Sequence, residues 1–557
     1  MPTEELPPAD EKETDCGADV AAVDRAKRIL FDAVPVLLAI VPFVLAAMRA
    51  AASTWVPIRD DAYFTARSLD VGTSNHPLLG AWSAGSLDVG KPVNNLGPMQ
   101  LDLLAPFTRF TPMGGSAIGV VVVHIAAIVT IAWLIGRLAG QRYVLAAMVA
   151  VAVLSWSLGS EMLITPQQHQ FLLFPYLCVL VAAWGVTCGD RWALVPAVVF
   201  ASLAVQTHLS YPILVAALGI PMIVGQVLTF RRSNSVSDRR SGIAFVVSGV
   251  VAAVLWSQTA FEQFAGSGNF VNVLTSGGEG SPPSRGTALR IVAGVIASPQ
   301  QFLRPGYGEF DPESLVGTAG QVVIVAVISL SVLIGFFIAA RHGHRCAAAG
   351  LAVAGATLAA GILNATMIPA TGAFGLLASN YRWLWSIGAF LLLGGLCLLV
   401  RLGSELWGGR KSNIVTGVLA VVLVVVTAAN LPRSIQVPRA DVYLQDQIAT
   451  QEMLRQLELV ELDGPVLIDQ DAMYLGHPYT YPILVTLLRR GIDYRFESPV
   501  QARRFGDRRV SDGTETQRLV LSFGAEAELI QDSPDTVAYV DGSPPAAITL
   551  VDVPGST

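Results

Sequence analysis

Eleven apolar runs of about 16 to 23 residues, each bounded by charge or turn residues, leave this chain few ways to fold. They lie at 33–51, 115–136, 143–158, 168–187, 192–209, 211–230, 242–260, 318–340, 346–368, 379–401 and 412–430. About 20 apolar residues match the ~30 Å hydrocarbon core of a bilayer, where backbone groups find no water and must close their hydrogen bonds within a helix. Composition agrees: 53% of the residues are hydrophobic and 14% are charged, against about 25% charged in soluble domains. The expected fold is mainly α, a polytopic membrane protein of about 11 transmembrane helices.

Basic loops set the orientation. Segments 231–240 (RRSNSVSDRR), 341–345 (RHGHR) and 401–411 (RLGSELWGGRK) are placed in the cytoplasm by the positive-inside rule. Counting back through alternating spans puts Arg191, Arg137, Arg142, Arg25, Lys27 and Arg28 on the same side. That agreement requires 99–110 (MQLDLLAPFTRF), interrupted by Asp102 and Pro106, to lie on or dip into the outer face rather than cross. Residues 1–32 read as a disordered cytoplasmic tail without a cleavable signal peptide, and 52–114 and 261–317 as outer loops. Part of the second, ALRIVAGVIASPQQFL, has the pattern of an interfacial segment. Beyond 430 the apolar runs shorten to strand length, as in GPVLIDQ, GIDYRFES, RLVLSF and TVAYV, which predicts a small extracytoplasmic α/β domain over 431–557. No basic stripe suggests nucleic acid, and five scattered cysteines without a CxxC pair predict neither a disulfide framework nor a zinc site.

Residues 57–64 read PIRDDAYF, placing two carboxylates where the chain leaves its first span. Ionisable groups at a membrane boundary are costly to desolvate and are functional candidates by default. The predicted outer face gathers Arg59, Asp60, Asp61, His76, Lys91 and Asp102, then Glu161 and His169 in SLGSEMLITPQQHQ, His208 and Tyr211 in QTHLSYP, and Tyr381 and Arg382 in SNYRWLW. A carboxylate can take the proton of an attacking hydroxyl, and a guanidinium fork grips phosphate in two places. Such a set suits glycosyl transfer from a lipid-linked phosphosugar.

A long first span followed directly by RDDAYF resembles the GT-C superfamily of integral-membrane glycosyltransferases, which use polyprenyl-phosphate sugars. NNLGPMQLDLLAPF resembles the Pro-containing segment that leads into juxtamembrane helices there, without the common Lys-Pro-Pro. QTHLSYP and NYRWLW resemble elements of actinobacterial members, the latter with its Arg-Tyr order reversed. The resemblance implies that Asp60 or Asp61 is the catalytic base, with Asp60 favoured. It implies that Glu161, His169 and His208 orient the acceptor or a metal, and that Arg382, Tyr381 and Lys91 bind the donor phosphate. A divalent cation stays open as cofactor, because some members use one. The implied enzyme is an inverting hexosyl- or pentosyltransferase of the plasma membrane acting on an envelope glycan, lipid or protein.

Plainer readings compete. Asp60 and Asp61 fit a helix N-terminus favoured by the dipole; Glu161 and His169 fit an ordinary loop; His208 fits a helix cap; and Tyr381, Arg382 and Trp383 fit an interfacial anchor. Asp469, Asp471 and His477 fit a strand-end turn more readily than a metal triplet. Rival functions are a transporter or lipid flippase, which would place polar groups near mid-bilayer in paired halves, and an anchored envelope scaffold.

Overall fold

The computed structural model describes residues 14–52, 55–83, 86, 93–159, 161–232, 239–275, 281–297, 301–303, 315–369, 376–431, 440–469 and 477–553. The predicted runs become helices: α1 (Thr14–Ala52), α4 (Gly115–Leu138), α5 (Gln141–Leu158), α6 (Leu173–Cys188), α7 (Leu194–Thr207), α8 (Pro212–Arg232), α9 (Arg239–Ala265), α11 (Ala319–Arg341), α12 (Arg345–Ala365) and α13 (Trp383–Ala429). Among the described residues nine helices are long and apolar enough to cross a membrane, and two shorter apolar helices, Arg191–Thr207 and Ile414–Ala429, occupy the remaining two runs. At 1.5 Å per residue these two reach only about 25 Å.

Three local expectations change. Residues 14–32, expected in a disordered tail, continue α1, as the good helix formers of DVAAVDRAKRIL favour. The expected loop 401–411 is helical, so that 383–429 is one helical stretch folded back on itself. A Cβ on Gly403 would lie 2.8 Å from Val415 Cγ2, whereas twelve residues of straight helix span about 18 Å. Both ends consequently reach one face: Ser386 Oγ donates to Leu173 O at 2.8 Å and Asn430 Nδ2 to Ser155 Oγ at 3.0 Å. Finally, α10 (Arg285–Ile296), expected along the interface, wedges among α11, α12 and α13 with Ile291, Val292 and Val295 wholly buried.

That shared face carries the polar part of the molecule. Helix α2 (Asp60–Leu69) lies there beside α3 (Met99–Phe110), which is too short to span. Above them stand α14 (Ala440–Leu457), α15 (Thr480–Arg489), α16 (Pro499–Phe505) and a five-stranded sheet. The strands β1 (Val466–Ile468), β2 (Tyr494–Phe496), β3 (Gln517–Phe523), β4 (Thr536–Val540) and β5 (Ala546–Asp552) are ordered β2-β1-β3-β5-β4. Strand β1 pairs parallel with β2 and β3, and β5 antiparallel with β3 and β4.

The sheet layer does not dangle. Ile58, Ala62, Tyr63 and Phe64 share one apolar core with Tyr481, Tyr494, Phe496 and Phe505. On its other side α2 bonds the membrane bundle, Thr65 to Ser116 at 2.9 Å and Ser68 to Thr108 at 3.1 Å. Eight of its ten residues, Asp61 to Ser68, are therefore buried. Polar locks close the layer: Arg509, wholly buried, donates to Asp70 Oδ1 at 2.6 Å and Asp493 Oδ1 at 2.5 Å, and Arg67 to Asp70 Oδ2 at 2.5 Å.

Close backbone contact sets the floor under α2. A Cβ on Gly115 would collide with the carbonyl of Phe107 at the α3–α4 corner. Gly115→Ala is expected to cost about 1–3 kcal/mol through overpacking, read as a lowered thermal midpoint in detergent.

Candidate active site

The site begins at a strained residue. Arg59 has φ 52° and ψ −131°, a conformation that favours glycine and persists only where surroundings enforce it. Here the enforcing contact is its guanidinium, which donates to Asp446 Oδ2 of α14 at 2.5 Å. The chain then turns directly into α2, so that Asp60 and Asp61 occupy the first turn, where unsatisfied N–H groups favour negative charge.

The two carboxylates differ. Asp61 is 9% exposed and accepts a hydrogen bond from Thr165 Oγ1. Burial pushes its carboxyl up to about 7; the Thr165 bond works against this, Asp60 adds to it, and Arg59 opposes it. Asp60 is open to solvent and accepts from Gln167 Nε2 at 3.2 Å. The protein around it still raises its carboxyl above the usual range, against Arg59 and Gln167. Tyr443 of α14 faces both Asp61 and Arg49, and accepts from Trp55 Nε1 at 3.3 Å and Gln447 Nε2 at 3.2 Å.

Thr165 and Gln167 belong to one strap, TPQQH (165–169), between the end of α5 and the start of α6. Gln100 of α3 donates to Pro166 O at 2.5 Å, and Gln168 to Thr207 O at 2.6 Å, pinning the strap from two sides. Its far end carries His169, whose ring centroid is 4.5 Å from that of His208. His208 Nδ1 accepts from the Ser210 backbone N at 3.2 Å, which leaves the proton on Nε2. Burial lowers the His208 imidazole to about 4, so it is neutral near pH 7.

Arg382 faces His169 and stacks on Trp385 with Cζ 4.5 Å from the ring centre. Beside it the Tyr211 and Tyr381 hydroxyls and His169 Nε2 are buried with no hydrogen-bond partner among the described residues. The strap therefore joins a carboxylate pair at one end to a buried cluster of N–H and O–H donors at the other.

Several sequence readings change. Tyr381, Arg382 and Trp383 are at most 1% exposed, so the interfacial-anchor reading fails: they line the interior. Glu161 is ion-paired with Arg49 of α1, while His169 meets His208 and Arg382, so these two expected partners serve different neighbours. Among the described residues no group of three or more His, Cys, Asp or Glu is placed to hold a metal ion. Glu161 pairs with Arg49, and both aspartates lie beside Arg59. Lys91 and Asp471 lie outside the described residues. His477 stacks flat on Phe523 at 4.0 Å. Sequence reasoning passed over Thr165, Gln167, Tyr443 and Asp446 because it followed charge and histidine in the outer loops, and neutral side chains and a distant helix gave no such signal.

No protein-family model and no curated protein matches the chain. Solved structures do. The fold is similar to that of ArnT from Cupriavidus metallidurans bound to undecaprenyl phosphate, with a TM-score of 0.53 at 11% identity over 94% of this chain and 98% of ArnT. The apo form of ArnT gives 0.50 at 12% identity over the same shares. The chain shares this fold. The likeness covers 94% of this chain, more than its helical body alone.

The buried hydroxyl of Thr165 gives a direct check on the acid pair. A bond donated to a carboxylate favours its charged form, so Thr165→Val is expected to raise the Asp61 pKa further above about 7. Infrared titration of the carboxyl band would read this; an unchanged midpoint would show that the bond does not set it.

Proposed function

We propose that this chain is a membrane glycosyltransferase that moves a sugar from a polyprenyl-phosphate donor to a hydroxyl of an envelope glycan, lipid or protein. The observation that carries the reading is the strap, which touches two carboxylates and a buried cluster of donors within five residues. The GT-C fold, and a neighbour of that fold with undecaprenyl phosphate bound, support it.

In this reading the donor phosphate sits among Arg382, His169, His208 and the Tyr381 hydroxyl, with its lipid tail between helices. The sugar then lies over the strap toward α2. Asp60, the open member of the pair, takes the acceptor's proton as its oxygen attacks the anomeric carbon. The bond from that carbon to the phosphate oxygen breaks, and its electron pair stays on the phosphate. Opposite faces of attack and departure make the transfer inverting. Asp61 lies behind as a buried neighbour whose charge state is coupled to Asp60. The basic loops favour an outer-leaflet site, with the amino terminus cytoplasmic and the sheet layer extracytoplasmic.

Purified protein in nanodiscs would be incubated with radiolabelled polyprenyl-phosphate sugars and envelope extracts. Transfer of label to a water-soluble or lipid product is expected. Failure to consume any lipid donor, with lipid flux across vesicles instead, would replace the reading with the flippase.

A further inference from the structure

His169 and His208 sit beside the donor phosphate in that reading, and the transfer step leaves the protonation states they take there unspecified. Their rings meet at 4.5 Å and 62°. His208 is fixed through Nδ1, so its Nε2–H is the edge left to a ligand, and His169 Nε2 is buried without a hydrogen-bond partner among the described residues. Neither ring forms an ion pair with a carboxylate among the described residues.

The groups facing them come from four elements. The α13 side supplies Arg382 and Tyr381; the start of α8 supplies Tyr211, with Tyr176 of α6 meeting it edge to face at 5.1 Å; the strap leads through Gln167 to Asp60. Asn380 adds an amide that bonds His169. In the free protein burial opposes a proton on His208, and burial, the neighbouring His208 ring and the nearby cation Arg382 oppose one on His169. An anion seated between them reverses that balance, since an opposite charge within about 4–6 Å favours the charged form.

Resting on the proposed transferase reading, we propose that His169 and His208 form a two-imidazole clasp for the donor phosphodiester, taking up a proton as the anion binds. The proton comes from water on binding. When the carbon–oxygen bond breaks, the phosphate gains one negative charge, and the clasp already holds the positive charge that balances it. Departure of the lipid phosphate returns the proton. By linkage, a proton taken up on binding makes affinity rise as pH falls.

The probe is a radiolabelled polyprenyl methyl phosphate, a phosphodiester that keeps one charge across the range, bound to the full chain in nanodiscs. Wild type is expected to bind it at least roughly tenfold tighter at about pH 5.5 than at about pH 8, with roughly 300-fold the ceiling for one proton linked across that range. The His169→Gln/His208→Gln double variant is expected to lose that dependence and bind roughly tenfold more weakly at the lower pH. Spectra of 15N-histidine protein give a readout that needs no variant: an imidazolium signal is expected to grow when the phosphodiester is added. Binding without that signal, or a pH dependence unchanged in the double variant, would overturn the clasp and leave the lipid-donor reading standing. No binding of the phosphodiester at either pH would overturn the lipid-donor reading itself.

Discussion

Asp60→Asn is expected to lower sugar transfer by at least about 100-fold while leaving the fold and lipid-phosphate binding intact, since a positioned general base contributes roughly 10²–10⁴-fold. Asparagine preserves shape and can still bond Gln167, so only the proton acceptor is lost. Asp61→Asn is expected to separate function from stability. Its folded pKa of about 7 lies above the model-peptide value of 3.8, meaning that the fold resists the charged form. Below the unfolded pKa both states are protonated and the residue is neutral in effect; as pH rises through the folded pKa the cost of the buried charge is fully present. That cost is up to about 4 kcal/mol. The variant should therefore melt higher than wild type at pH 8 and equally at pH 3, while transferring poorly at both. Equal midpoints at pH 8 would show that Asp61 is not charged at a cost.

The largest effect on stability is expected at Arg509. Its guanidinium is wholly buried, bonds Asp70 and Asp493, and lies 3.7 Å from the Tyr494 ring centre. Arg509→Met removes the partner and strands Asp70, 2% exposed, beside Arg67 alone. Breaking a buried pair in this way costs about 3–5 kcal/mol. Because Asp70 caps the end of α2, the loss should loosen the sheet layer from the helix that carries the acid pair, read as faster amide exchange in β1, β2 and α2. Adding Asp70→Asn should recover part of the loss by removing the stranded charge. Arg455→Ala, which breaks an exposed pair with Glu452, should leave the midpoint unmoved. An Arg509 variant that behaves like the Arg455 variant would mean that the buried network does not hold the layer.

Apolar length was enough to read the membrane body. Where a run of about 20 residues meets hydrocarbon, the helix is the available answer, and helices stand at all eleven runs. What length could not show was how the runs meet. A hairpin at Gly403 and the burial of α10 depend on contacts made by residues far apart in sequence. In the sheet layer, short apolar runs of strand length marked β1 to β4, whereas β5 begins Ala546-Ala547 directly after Pro544-Pro545, a start with weak strand preference.

The acid pair was legible because charge at the end of an apolar run is costly and conspicuous. The strap was not. Thr165 and Gln167 are uncharged, and their importance comes from where α3 and α7 pin the backbone. The tie between Arg59 and Asp446 spans 387 residues, and nothing local in either segment announces it. Arg382 and His169 were each picked out, but placing His169 against both His208 and Arg382 required three helix ends to converge.

The most direct test is a structure with a non-transferable donor analogue, a polyprenyl phosphonate whose sugar is joined through carbon. The phosphonate is expected against Arg382, His169 and His208, with the sugar ring over Gln167 and its anomeric carbon facing the space beside Asp60. An analogue bound with its phosphonate on the opposite face, or lodged only in the apolar groove between α11 and α12 lined by Leu333, Phe336 and Ile362, would contradict the account.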